Sequence, residues 1–308
     1  MSGGARLAVF AVGLVALAAI GFGIGALVDA DHMGGDSGMD AMHDGEGGHG
    51  TGPAMHGDQG GGGMHAQGGH GAMQMDAVRG LGVAENGMRL VVADPEFARG
   101  TTEQLSFQVV GNDGEPLTAF EVTHTKRMHV IVVRRDLTDF QHLHPEMAAD
   151  GTWSVPLRLA EAGTYRVFAD FSTDGEPTTL ADDLRVDGDA DLRDLPAPAT
   201  RALSEPGDYE VSLRAGDPHA GEEASLRFAI GRDGQPASLQ PYLGAGGHLV
   251  ALREGDLTFL HVHPTGDAGE DGSIEFEATF PTAGNYRLFL QFVVGGELQT
   301  VAFTEEVH

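Results

Sequence analysis

The feature that most restricts what this chain can fold into is an internal repeat. Asn112-Asp113-Gly114-Glu115-Pro116 recurs as Arg232-Asp233-Gly234-Gln235-Pro236, Gln141-His142-Leu143-His144-Pro145 as Leu260-His261-Val262-His263-Pro264, and Ala162-Gly163-Thr164-Tyr165-Arg166 as Ala283-Gly284-Asn285-Tyr286-Arg287. Order and spacing are kept at an offset of about 120 residues, which points to tandem copies of a domain of roughly 100 residues. Within each copy, short runs alternate apolar and polar residues between Asp-Gly, Gly-Asp and Pro breaks, and no helical period is sustained. Both copies therefore read as all-β.

The pattern predicts strands at 88–93, 104–110, 128–134, 139–144, 153–159, 165–171 and 180–186 in the first copy. In the second it predicts 210–215, 225–230, 248–253, 258–263, 274–280, 286–292 and 300–304. Gly163-Thr164-Tyr165 and Gly284-Asn285-Tyr286 lead into the sixth strand of each copy. They suit the corner tyrosine of immunoglobulin-like sandwiches, whose hydroxyl ties a strand start to nearby backbone. The expected fold is two tandem immunoglobulin-like or cupredoxin-like β-sandwiches, at 78–188 and 207–308. A Pro-, Asp- and Ala-rich linker at 189–206 joins them.

The residues ahead of the repeat differ in kind. Leu7 to Val28 carry no charge and reach about 33 Å as a helix, a membrane-spanning length. Arg6 precedes the segment while Asp29 and Asp31 follow, so positive-inside bias leaves the bulk of the chain outside the cytoplasm. Residues 1–30 thus read as a signal anchor giving a single-pass membrane protein, or as a signal peptide cleaved after Ala30 that gives a secreted one. Residues 31–77 then form a Gly-rich tether without apolar periodicity, expected to be disordered.

Charge and composition exclude several functions. With 18 Lys+Arg against 46 Asp+Glu the formal charge is −28, which repels phosphate backbones, so nucleic acid is not an expected partner. The chain has no cysteine, which rules out disulfides, thiolate metal sites and thiol nucleophiles. No acid–base constellation stands out either, so an enzyme is not expected.

Histidine carries the positive signal. If Gly255-Asp256 forms a two-residue hairpin loop, paired residue numbers sum to 511, placing His248 opposite His263 and Val250 opposite His261. An equivalent loop at Asp136-Leu137 gives a sum of 273, with His129 opposite His144 and Ile131 opposite His142. Alternation then puts His129, His142 and His144 on one face, and His248, His261 and His263 on another, where strand spacing lets three imidazoles meet one ion. In this reading the His-bearing face is the core-facing side of each sandwich. Met128 and His124 are further donors in the first copy. Gly247 stands where Met128 does, and the counterpart of His124 is not evident, so the two sites need not be equivalent. The competing reading is a pair of hydrogen-bonded histidine clusters without an ion.

The tether adds donors: it holds seven of the 11 Met and six of the 15 His. They include the pairs His32-Met33, Met42-His43, Met55-His56 and Met64-His65. Thioethers select Cu(I) and imidazoles accept both copper states, so copper is the expected ion and zinc the alternative. Trp153 reads as a core residue. Asp170 and Gln291 fall at matching places in the sixth strands, where they could approach the triads but more simply line a solvated face. His219 and His308 receive no role.

Met128-His129 through His142-Leu143-His144-Pro145, followed by Ala162-Gly163-Thr164-Tyr165-Arg166, resembles secreted bacterial proteins labelled heavy-metal-binding. More distantly it is similar to YtkA-like and FixH-like sandwiches and to CopC-type copper carriers. The resemblance spans the two β regions and implies an immunoglobulin-like or cupredoxin-like sandwich with a role in copper handling. The amino-terminal histidine arrangement of CopC-type proteins is absent, so their Cu(II) mode does not carry over. Without a Cys among the ligands, a blue-copper electron carrier is excluded. The function expected is an extracytoplasmic metal-binding protein for copper buffering, delivery or resistance, with its protein partner unassigned. The alternative is a surface-anchored immunoglobulin-like binding module without metal.

Overall fold

The computed structural model describes residues 78–207, 209–262 and 264–308. The segment Leu7 to Val28, the tether donors His32, Met33, Met42, His43, Met55, His56, Met64 and His65, and also His263 lie outside the described residues. Every regular element described is a β-strand. Among the described residues no helix is long and apolar enough to cross a membrane.

In the first sandwich one sheet runs Ala84–Glu85, Met88–Val92, Thr102–Val110, Trp153–Arg158, Glu146–Met147. The facing sheet runs Glu96–Phe97, Glu176–Val186, Gly163–Thr173, His129–Arg134, Gln141–Leu143. The second sandwich repeats the plan. Its outer sheet is built on Glu210–Arg214, Glu223–Arg232 and Ser273–Thr279, and its inner sheet on Gly284–Val294, His248–Arg253, Phe259–Val262 and Glu297–Val307. Every strand read from the sequence has a counterpart within a few residues. The strands that were missed are short edges such as Glu96–Phe97 and Glu146–Met147, too brief to show alternation. Arg201–Leu203 also falls inside the stretch read as linker, where it pairs with Glu210–Arg214.

Alternation sends Leu105, Phe107 and Val109 against Val130, Val132, Val167 and Ala169 to form the first core. Each fully buried Leu, Phe or Val side chain among them contributes about 1.5–3 kcal/mol. Trp153 lies in this core, 2% exposed, with its ring edge-on to Phe120 at 5.1 Å, as expected. The tyrosine corners are present in both copies. Tyr165 Oη donates to the Glu161 carbonyl and Tyr286 Oη to the Thr282 carbonyl, each at 2.9 Å.

The hairpin registers agree with the sequence reading, with Val250 paired to His261 and Ile131 to His142. The loops do not. Glu254 to Leu257 make a four-residue loop in which Arg253 N bonds Thr258 O at 3.1 Å. In the first copy Arg134 N bonds Thr138 O at 2.9 Å, and Asp139 follows at φ 54. A four-residue loop with the same midpoint as a two-residue loop in the second copy, and a three-residue loop followed by one extra residue at Asp139 in the first, leave both register sums unchanged, so the pairing survived the wrong turn type.

A second correction concerns the His-bearing face. Met128, Val130 and Val132 point into the first sandwich's own core. The odd-numbered Ile131 and Val133 instead join a separate cluster with Val250, Leu252, Phe259 and Phe289 of the second sandwich. The strand His129–Arg134 is thus buried on both faces, and the inner sheets of the two sandwiches pack against each other within one compact unit. Phe140 stacks on Phe289 at 4.1 Å and Phe168 meets Phe259 at 5.1 Å. Phe140 is the repeat equivalent of Phe259, and Phe168 of Phe289, so the contact is isologous, as between subunits of a two-fold dimer. Leu137 and Leu257 enter this interface with φ of 62 and 61, a left-handed conformation costing about 1–2 kcal/mol each for such residues. Burial of both leucines offsets that strain.

Candidate metal centre

His129 is the first residue of its strand and has Asp170 as its cross-strand neighbour. His142 lies on the adjacent edge strand opposite Ile131, and His144 follows two residues on, past the end of the ladder. Alternation brings the three rings to one side: centroids lie 5.3 Å apart for His129 and His142, 5.1 Å for His129 and His144, and 4.7 Å for His142 and His144. One ring nitrogen from each lies within 4.8 Å of the other two. A tetrahedral ion with nitrogen bonds of about 2.0–2.1 Å needs ligand atoms roughly 3.3 Å apart, so small ring rotations would close the set.

The environment is dry. His129 is 3% exposed and His142 9%, while His144 is half-buried. His129 Nδ1 is 3.0 Å from His142 Nε2, and His129 Nε2 is 3.0 Å from the Thr123 carbonyl oxygen. His144 Nε2 is buried with no hydrogen-bond partner among the described residues. Burial, with added repulsion from His129 and Lys126, pushes the His144 imidazole down to about 4. His144 is therefore neutral at ordinary pH, the form that ligates.

The remaining candidates are distributed differently from the sequence reading. Met128 is 1% exposed in the first core, on the opposite strand face from His129, so it is not brought to the cluster. His124 does reach it: its ring lies 6.2 Å from His129 and 5.1 Å from His248. Its counterpart is now defined, because the turns bridged by Thr123 and Lys126 and by Tyr242 and Ala245 match, placing Leu243 where His124 stands. His248 is 1% exposed, 6.2 Å from His129 and 6.1 Å from His142 by ring centroids, with Tyr242 at 5.4 Å. His261 keeps its register opposite Val250, and His263 lies outside the described residues. His124, His129, His142, His144 and His248 form one group astride the contact between the halves.

Gln291 is the residue the sequence undervalued. It is 5% exposed, and its Oε1 lies 2.8 Å from His142 Nδ1 across the domain boundary, so a solvated face is overturned there. A signal existed: His129-Val130-Ile131-Val132-Val133 is apolar at both parities past the histidine, the pattern of a strand covered on both sides.

Comparison with known families decides the relationship. A model described as Domain of unknown function (DUF8832) matches residues 83–188 and again 204–308. The chain belongs to the DUF8832 family. Two copies of the DUF8832 domain correspond to the two sandwiches, and nothing among the curated proteins matches the chain. Similar solved structures include the Escherichia coli adhesin FdeC, at 15% identity over 73% of this chain and 65% of that one, with a TM-score of 0.26. A Salmonella alpha-2-macroglobulin reacted with methylamine matches at 15% identity over 75% of this chain and 15% of that one, with a TM-score of 0.27. The titin domains z1z2 in complex with telethonin match at 13% over 71% and 94%, with a TM-score of 0.19. The DUF8832 chain thus spans 65% of the adhesin and 15% of the macroglobulin, and these likenesses carry no functional weight.

Proposed function

We propose that this DUF8832 protein is an extracytoplasmic metal-binding protein whose folded site is His129, His142 and His144, with copper as the ion and zinc as the alternative, serving buffering, delivery or resistance. The observation that supports it most is the convergence of three largely buried imidazoles, one nitrogen of each within 4.8 Å of the others. Three neutral imidazoles with an open fourth position suit Cu(II) or Zn(II). The Met- and His-rich tether suits Cu(I) and would gather ions ahead of the folded site. The resemblance to heavy-metal-binding sandwiches points the same way. The apolar segment at 7–28 would hold the protein at the outer face of a membrane or direct its secretion.

The test is metal analysis of the full chain purified without chelator or His tag, then loaded with Cu(II) or Zn(II) and dialysed against a competing chelator. About one equivalent retained by the wild type, and lost on replacing His129, His142 and His144 together with alanine, supports the reading. Equal retention by both proteins sinks it.

A second reading, an immunoglobulin-like binding module without metal, is favoured by the tandem sandwiches themselves and by the engagement of His129 with the Thr123 carbonyl. Such a module would present an exposed aromatic patch. Among the described residues, none of the exposed large apolar side chains is aromatic. Retention of no transition metal after loading would leave this second reading in place.

A further inference from the structure

We infer that Gln291 of the second sandwich is the positioning residue that decides which nitrogen of His142 is offered to an ion in the first. The inference rests on the metal-binding reading above.

Gln291 sits on Gly284–Val294 with His248 as one cross-strand partner and Thr300 as the other. Its Nε2 donates to Thr300 Oγ1 at 3.2 Å, and its Oε1 faces His142 Nδ1 at 2.8 Å. An amide oxygen only accepts, so the His142 proton resides on Nδ1 and the lone pair on Nε2. On the other side, the Thr123 carbonyl only accepts, so His129 carries its proton on Nε2 and its lone pair on Nδ1. Those two lone-pair nitrogens, His129 Nδ1 and His142 Nε2, face each other at 3.0 Å. A cation placed between them would be ligated by both rings. Ligating histidines are commonly held in this way, with the outer N–H donated to a fixed acceptor.

The repeat places a different side chain at the matching position. Asp170 occupies the matching place in the first copy, and its Oδ1 accepts from Thr179 at 2.7 Å. Thr179 and Thr300 are repeat equivalents, so the threonine is common to both halves. The longer amide of Gln291 reaches across the interface to His142. Ion affinity in one sandwich thereby depends on the docking of the other.

The test uses Q291L, Q291E and T300V in the full chain, with two readouts. In metal-free protein, long-range proton–nitrogen correlation reports the His142 tautomer. The wild type and Q291E should carry the proton on Nδ1, Q291L should move it to Nε2, and T300V should give a mixture because the amide can turn over. In competition with a chelator for Zn(II), Q291L should bind roughly 10–100-fold more weakly, with Q291E restoring affinity. A merely structural role for Gln291 would not move the tautomer and would not be rescued by glutamate. Wild-type zinc binding that Q291L leaves unchanged, or a proton on Nε2 in the wild type, overturns this inference alone. Failure of the wild type itself to retain zinc overturns the metal reading and the inference with it.

Discussion

The two DUF8832 copies share strands, registers and tyrosine corners, yet they bring different side chains to their common boundary. The first supplies His129, His142, His144 and His124. The second supplies Gln291, His248 and Tyr242, whose hydroxyl is pushed up to about 12 by burial and so stays protonated. The same asymmetry recurs at the other end of the hairpin. Asp136 and Asp256 both cap their loops by accepting from the following threonine, Thr138 or Thr258. Asp136 pairs with Arg134 at 3.2 Å, the side chains being 3% and 2% exposed, and the linker covers them through Arg193 N and the Asp191 carbonyl. Asp256 pairs with Arg253 in the open, 40% exposed. Both copies keep the same strands and hairpin registers, while the surfaces that face each other or the linker carry different side chains.

That comparison can be broken or sharpened experimentally. The largest effect is expected from replacing His129, His142 and His144 together with alanine: complete loss of the chelator-resistant site, against a loss of about 10–100-fold for His248→Ala, whose ring lies 6.2 Å from His129 and 6.1 Å from His142. Equal losses would mean that the halves contribute alike. Next, Asp136→Ala should cost roughly 3–5 kcal/mol in denaturant unfolding, since it strands Arg134 in a dry site. Asp256→Ala, at the exposed pair, should cost within about 1 kcal/mol, and similar values for both would erase the distinction. Third, His124→Leu, which gives the first turn the residue of the second, should weaken metal binding by less than about tenfold. A full loss would make His124 a ligand in its own right.

The smallest effect concerns acid. The hydrogen bond from Arg253, opposed by partial burial, brings the Asp256 carboxyl down to about 2, below its unfolded value near 4. Because the folded value is the lower one, the stabilisation is present above about pH 4 and disappears as pH falls through about 2. The melting difference between wild type and Asp256→Asn should therefore be visible at pH 7 and vanish near pH 2. A difference that persists unchanged at pH 2 contradicts the assignment.

Most of the fold was legible because alternation and turn residues report a sheet with one buried face. The repeat then supplied the pairing twice over. What escaped was the covering of the second face: His129 and Ile131 share a parity that sequence alone assigns to the sandwich core, whereas Met128 and Val130 fill that core. Only the packing of sheet against sheet shows that Ile131 meets Val250 and Phe289. For the same reason Gln291 could be placed beside His248 by register but not opposite His142, a contact 149 residues away along the chain. The convergence of the first triad was readable, since hairpin register and alternation are local.

The central claim is that one ion fits among His129, His142 and His144. Anomalous diffraction at the copper and zinc edges, from crystals of metal-loaded protein, tests it directly. The account predicts a peak about 2.0–2.1 Å from one nitrogen of each of the three rings. Peaks elsewhere with none among these rings would contradict it.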